Sequence, residues 1–261
     1  MNKKEIFNHY SEILDSMLDN SAWFDAFFQN PANFDESLIP EEDLPSDVAL
    51  YCGATRTCVV DNNYDWVVKF DIEADDYGFA CEREVNIYSA AKAQHLDQYF
   101  CEIQYIGTYV RTIDFYDIID LEKYTNLYCQ DKEEFYDDLN NNRDNIDKRQ
   151  IKISIPLYAC PRALSYNFLV KHMDNNQRQE INRIGSPLRS RNPRIAAEFI
   201  ANYGFNEYKN FSTFGLEWEI NDIHMGNIGS INNHMVLIDY AGYHYDEDCD
   251  DKAWTYGTDE D

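Results

Sequence analysis

Two carboxylates and one amide in the C-terminal third of the chain have types and spacing that suit magnesium and phosphate chemistry. Asp222 is followed five residues later by Asn227, in the stretch Asp-Ile-His-Met-Gly-Asn, and Asp239 ends the apolar run Val-Leu-Ile-Asp. Carboxylate and amide oxygens are ligands that magnesium accepts. Phosphoryl transfer needs mainly a base, metal ligands and positive charge beside the phosphates. The pattern therefore predicts a carboxylate that orients a hydroxyl and two ligands for one divalent cation.

A strand lysine and a helix glutamate in the first half of the chain could complete such a site. Lys69 lies in the β-type run Val-Val-Lys-Phe, and Glu84 lies in a segment rich in Ala and Glu that predicts a helix. Each residue alone is more often simply solvated, and Glu82 is an alternative to Glu84. The order of strand lysine, helix glutamate, polar loop and strand aspartate is what favours a common site.

This ordered set resembles the kinase-like phosphotransferase superfamily. Protein kinases carry H-R-D-x-x-x-x-N in the catalytic loop, whereas D-I-H-M-G-N is more similar to the D-x-H-x-x-N form of aminoglycoside and choline phosphotransferases. The resemblance implies that Asp222 is the catalytic base and that Asn227 and Asp239 bind magnesium. It also implies that His224 shapes the loop on the nucleotide side.

The same resemblance implies an ATP site in the first half of the chain. Lys69 would contact the α- and β-phosphates and form an ion pair with Glu84. Gly53 and Thr55, in Cys-Gly-Ala-Thr-Arg-Thr, take the place of the phosphate-covering loop, although this stretch has one glycine instead of three. No A-P-E motif follows Asp239, so we expect no peptide platform of the protein-kinase type.

The helices and strands that must position these residues can be predicted from the sequence, and together they indicate an α+β chain. Hydrophobic periodicity and turn residues predict helices at 4–18, 79–95 and 194–209, a β-hairpin within 47–72, strands at 103–110 and 151–158, and a last strand after the turn at 231–234. We predict a two-lobed protein kinase-like fold with a β-rich N-lobe and a short, mainly helical C-lobe. Its parts are a helical extension at 1–45, an N-lobe at 46–160 with an acidic insertion at about 122–150, and a C-lobe at 161–261.

The net charge limits the classes of partner that we expect, and the cysteine content indicates the cellular compartment. The net charge of −26 disfavours nucleic acid backbones and anionic membranes and favours a cationic small molecule or a basic protein. The seven cysteines are odd in number and have no C-x-x-C spacing, which predicts reduced thiols in a cytoplasmic protein. No apolar run reaches the roughly 18 residues of a membrane span.

Basic residues are concentrated between 162 and 194, in an otherwise acidic chain. Two interpretations remain open: these residues bind a phosphorylated or acidic acceptor or the nucleotide phosphates, or they pair with acidic side chains and tie the lobes together. The residues are Arg162, Lys171, Arg178, Arg183, Arg189, Arg191 and Arg194.

Two functions follow from these patterns. The first is an ATP- and magnesium-dependent kinase that transfers the γ-phosphate to a hydroxyl of a small molecule or a protein. The alternative is a catalytically weak or inactive binding protein on the same scaffold, whose acidic surface engages a basic partner or mimics DNA. Retention of Lys69, Glu84, Asp222, Asn227 and Asp239 together favours the first.

Overall fold

The fold is α+β, with an antiparallel sheet, a smaller sheet and four helices among the residues described. The structure is a computed structural model, and it describes residues 2–19, 47–52, 56–71, 79–115, 149–169, 193–220 and 223–242, with positions 175, 176 and 179. Residues 20–45 of the predicted helical extension, nearly all of the acidic insertion, and the chain after 242 lie outside these residues. Within the described ranges, no helix is both long and apolar enough to cross a bilayer.

A five-stranded antiparallel sheet dominates the first half of the chain. Its spatial order is β1-β2-β3-β5-β4, so the last two strands in sequence are exchanged in space. The strands are β1 (Val48–Cys52), β2 (Arg56–Asp61), β3 (Trp66–Asp71), β4 (Gln104–Phe115) and β5 (Arg149–Pro161).

The hairpin predicted within 47–72 is confirmed as β2 and β3. Asp61 closes its turn: the side chain accepts a 2.8 Å hydrogen bond from the Asn63 amide, and the carbonyl accepts one of 3.1 Å from the Tyr64 amide. Such local carboxylate-to-amide bonds favour turns over strand continuation. The part of this range before Asp61 contains two paired antiparallel strands, β1 and β2.

Helix α1 (Lys3–Asp19) confirms the predicted first helix and packs on the sheet. The Tyr10 hydroxyl donates a 2.5 Å hydrogen bond to the Trp66 carbonyl of β3. The ring of Phe7 lies over Gly107 of β4, where a Cβ atom would be only 2.8 Å from the ring. The glycine therefore allows the helix to approach the strand closely.

Helix α2 (Ala80–Ala93) connects β3 to β4 and confirms the helix predicted at 79–95. The Asp71 carboxylate, at the end of β3, accepts a 2.9 Å hydrogen bond from the Cys81 amide in the first turn. Free amides at a helix start need such an acceptor. This contact fixes the start of α2 against the sheet and sets which helix face points inward.

The region after β5 has two helices where one was predicted at 194–209. Helix α3 (Pro193–Tyr203) and helix α4 (Phe205–Glu217) meet at Gly204, whose φ of 91° is unfavourable for other residues. A single glycine at this φ breaks the helix, and the apolar pattern then resumes to 217.

A small three-stranded sheet follows the helices. It consists of β6 (Leu164–Ser165), β7 (Ile228–Ile231) and β8 (His234–Leu237). The predicted turn between β7 and β8 is confirmed, with φ of 52° at Asn232 and 63° at Asn233. Asparagine tolerates this left-handed conformation, which a two-residue hairpin turn requires.

One cluster of buried side chains joins these parts. It includes strand residues such as Val60 and Val67, helix residues such as Phe199 and Phe211, and Tyr240 near the end of the described chain. The four cysteines whose side chains are described are free thiols, as predicted: Cys58, Cys81, Cys101 and Cys160.

Candidate active site

Lys69 and Glu84 form the ion pair that the sequence predicts. The Lys69 Nζ atom lies 3.0 Å from Glu84 Oε2. Both residues are buried, Glu84 completely. A buried charge is tolerated when it is paired and hydrogen-bonded. Glu82 is exposed on α2, so Glu84 is the partner and the alternative is wrong.

The carboxylate of Glu84 governs the protonation of Lys69. Burial by itself would lower the pKa of Lys69, because it disfavours the charged form. The adjacent Glu84 carboxylate acts in the opposite direction, and the net effect raises the pKa of Lys69 well above its usual value. The ammonium therefore stays charged at neutral pH.

Asn227 and Asp239 are brought together by the β7–β8 hairpin. Ile228 pairs with Leu237, and the Ile238 amide donates a 2.9 Å hydrogen bond to the Asn227 carbonyl. The predicted apolar strand ends at Leu237, two residues before Asp239. Asn227 is buried, whereas the Asp239 side chain is 37% exposed.

The segment that carries Asp239 is attached to the Lys69–Glu84 pair through its backbone. Lys69 Nζ donates a 2.5 Å hydrogen bond to the Ile238 carbonyl, and the Tyr240 amide donates one of 3.0 Å to Glu84 Oε1. The Tyr240 hydroxyl also donates to the Cys101 carbonyl at 2.8 Å. The candidate lysine, glutamate and aspartate thus lie at one site, although they come from distant parts of the chain.

Arg56 is a member of this site that the sequence prediction did not assign. Its Nη1 atom lies 3.0 Å from Glu84 Oε1, and its Nη2 atom contacts Asp239 Oδ1. Burial would lower the pKa of Arg56, but the carboxylates of Asp239 and Glu84 raise it beyond the usual range. The guanidinium is therefore a permanent positive charge in the site.

Strand register contains the signal that could have identified Arg56. Cys58 lies directly opposite Lys69 in the β2–β3 ladder, and opposite residues point to the same face of a sheet. Arg56 precedes Cys58 by two positions, so it shares that face. The hairpin alone could therefore have placed Arg56 beside Lys69, whereas its contact with Asp239 could not be foreseen.

His224 holds the turn before Asn227. Its Nδ1 atom accepts a 3.1 Å hydrogen bond from the Gly226 amide, and its carbonyl accepts one of 3.0 Å from the Asn227 amide. As an acceptor, Nδ1 carries no proton. The contacts agree with a loop-shaping role for His224, and its role in binding a nucleotide stays a prediction.

Three predicted site residues, Gly53, Thr55 and Asp222, lie outside the described residues. The neighbours of Asp222 are described on both sides: Ile220 and Ile223 are buried. Of the basic residues between 162 and 194, the side chains of Arg162 and Arg194 are described. Arg162 donates to the Asn62 side chain at 2.9 Å, and Arg194 lies 5.1 Å from the centre of the Phe168 ring.

The donor set fits magnesium by chemical type. Asp239 offers a carboxylate and Asn227 an amide oxygen, both hard ligands. Among the described residues, no three His, Cys, Asp or Glu side chains form a metal-binding group, so a cation here would depend on few protein ligands and on substrate oxygens. Arg56 already pairs with Asp239 Oδ1, and a metal ion would compete with it.

No family model matches the chain, and no curated protein matches it in sequence.

Proposed function

We propose that the chain is an ATP- and magnesium-dependent phosphotransferase of the kinase-like superfamily. The observation that carries the proposal is the buried Lys69–Glu84 pair, which holds the backbone on both sides of Asp239. Kinases of this superfamily require a strand lysine, its helix glutamate and the metal-binding aspartate to be assembled together.

The chain topology supports the same proposal. Lys69 lies on the third strand of a five-stranded antiparallel sheet, and helix α2, between the third and fourth strands, supplies Glu84. This is the order in which a kinase N-lobe presents its lysine and glutamate. We assign the N-lobe to 46–160 and a reduced C-lobe to 161–261.

The residues of the site have distinct roles in the proposed reaction. Lys69, kept charged by Glu84, binds oxygens of the α- and β-phosphates of ATP. Asn227 and Asp239 hold magnesium, which when bound neutralises charge on the phosphates. Asp222 accepts the proton of the acceptor hydroxyl as its oxygen bonds to the γ-phosphorus and ADP leaves. Gly53, Thr55 and His224 line the nucleotide side.

The net charge of the chain is the basis on which we propose the class of phosphate acceptor. A net charge of −26 attracts cations and repels nucleic acids and anionic membranes. We propose a cationic small molecule or a basic protein as acceptor, in the cytoplasm.

A non-catalytic binding protein is the second candidate, and one contact favours it. Arg56 pairs with Asp239 Oδ1, so the carboxylate that should bind metal is neutralised by the protein itself. In that case the acidic surface is the active feature and engages a basic partner or imitates DNA.

Nucleotide binding separates the two candidates. Melting temperature is measured with ATP and magnesium, and ATP hydrolysis or transfer is followed for the native chain, Asp239→Ala and Glu82→Gln. A ligand that binds only the folded state raises the melting temperature. The kinase proposal expects a shift for the native chain and Glu82→Gln and its loss in Asp239→Ala. Equal behaviour of all three, without turnover, would favour the binding protein.

A further inference from the structure

Arg56 has no assigned role in the proposed reaction, yet it lies at the centre of the site. Its side chain is 11% exposed and contacts both Glu84 and Asp239. Nη1 is 3.0 Å from Glu84 Oε1, and this buried donor atom has no hydrogen-bond partner among the described residues. A buried, unsatisfied donor on a cation marks a place where an anionic oxygen is favourable.

The charges of the site balance without any ligand. Lys69 and Arg56 supply two positive charges, and Glu84 and Asp239 supply two negative charges. A divalent cation placed on Asp239 would therefore leave excess positive charge beside Arg56. Like charges repel strongly in such a buried site, where water screens them poorly. Metal alone is thus opposed, whereas a polyphosphate bound with the metal ion supplies negative charge that offsets it.

Guanidinium groups recognise carboxylates and phosphates with the same planar geometry. Arg56 begins β2, and its guanidinium lies against Asp239, the carboxylate proposed to bind the metal ion. Exchange of Asp239 for a phosphate oxygen would replace one anionic partner of the guanidinium by another.

We infer that Arg56 is an exchange residue: it pairs with Asp239 in the nucleotide-free protein and transfers to the nucleotide phosphates when Asp239 takes the metal ion. The inference rests on the proposed function. It makes Arg56 both a competitor of the free metal ion and a ligand of the nucleotide. Arg56 thereby couples metal binding to nucleotide binding.

The test measures two affinities that should change in opposite directions in Arg56→Gln. Binding of Mn²⁺ alone is followed by electron paramagnetic resonance, and binding of ADP in EDTA is followed by calorimetry. We expect Mn²⁺ to bind at least tenfold more tightly, because Asp239 loses its competing cation. We expect metal-free ADP to bind at least tenfold more weakly, because the phosphates lose a ligand.

The control is Arg111→Gln, which removes an arginine that pairs with Asp15 at 3.4 Å on another part of the sheet. Neither affinity should change in this variant. If Arg56→Gln does not fold, Asp239→Asn tests the same exchange from the other side. It frees Arg56 and should strengthen binding of metal-free ADP.

The outcomes separate the inference from the proposed function. A native chain that binds magnesium and ATP, together with an Arg56→Gln variant whose Mn²⁺ affinity is unchanged or lower, would overturn the exchange alone. A structural role of Arg56 would weaken both ligands in parallel and would overturn it as well. A native chain that binds neither nucleotide nor metal under any condition would remove both.

Discussion

The backbone amide of Tyr240 donates a 3.0 Å hydrogen bond to Glu84 Oε1, although 156 positions separate the two residues. The other oxygen of the same carboxylate binds Lys69 at 3.0 Å. Glu84 therefore connects the sheet, helix α2 and the segment around Asp239. Loss of the Glu84 carboxylate should lower the free energy of unfolding and weaken ligand binding together. Substitutions of the residues that contact Glu84 also test the site.

Glu84→Gln should be the most destabilising single change at this site. The amide is nearly the same size but leaves the charges of Lys69 and Arg56 without their shared carboxylate. Breaking a buried pair in this way costs about 3–5 kcal/mol. Urea unfolding measures the loss, with Glu82→Gln on the exposed side of the helix expected to stay within about 0.5 kcal/mol. Equal stability of the two variants would refute a central role for Glu84.

Lys69→Met should cost less stability than Glu84→Gln and should weaken nucleotide binding more specifically. Glu84 keeps Arg56 at 3.0 Å after the change, so its buried charge is still compensated. We expect ATP affinity in magnesium to fall at least tenfold while the chain remains folded. Calorimetry and urea unfolding of the same preparation check both parts. A stability loss as large as that of Glu84→Gln would mean that Arg56 cannot compensate.

Alkaline pH should destabilise the fold through buried tyrosines, and Tyr203 gives a direct test. Burial, with a smaller contribution from Tyr166, raises the pKa of Tyr203 from 10.0 to about 12. The native state therefore holds the proton that the unfolded chain releases near pH 10. The stabilisation is complete below pH 10 and is lost as the pH rises to about 12.

Tyr203→Phe removes this titration. Its free energy of unfolding should decline less steeply between pH 10 and 12 than that of the native chain, whatever the cost of losing the hydrogen bond to the Met235 carbonyl. Urea unfolding at several pH values compares the slopes. Parallel pH profiles would show that Tyr203 does not titrate differently in the two states.

Gly107→Ala should loosen helix α1 from the sheet. The new Cβ atom would lie 2.8 Å from the Phe7 ring, and the φ of 153° is unusual for alanine. Overpacking of this kind costs about 1–3 kcal/mol. Thermal unfolding measures the change, and Phe7→Leu in the same chain should recover part of it. Additive effects of the two substitutions would mean that the clash is relieved elsewhere.

Local sequence patterns predicted most of the described elements and their order. Helix α1, helix α2, the β2–β3 hairpin and the Asn232–Asn233 turn all follow from spacing and turn chemistry over a few residues. The resemblance to the kinase-like superfamily predicted the Lys69–Glu84 pair, which the structure contains. The sequence patterns missed the break at Gly204, since the apolar pattern continues through it.

The sequence by itself determined which charged groups are available and in what order they occur. Only the tertiary structure decided that Arg56 joins the Lys69–Glu84 pair and contacts Asp239. Arg56 reaches Asp239 across 183 positions, and helix α1 reaches β4 through Phe7 and Gly107. The physical reason is that spacing constrains only near neighbours, whereas the partner of a buried charge depends on which distant segments pack against it and exclude water.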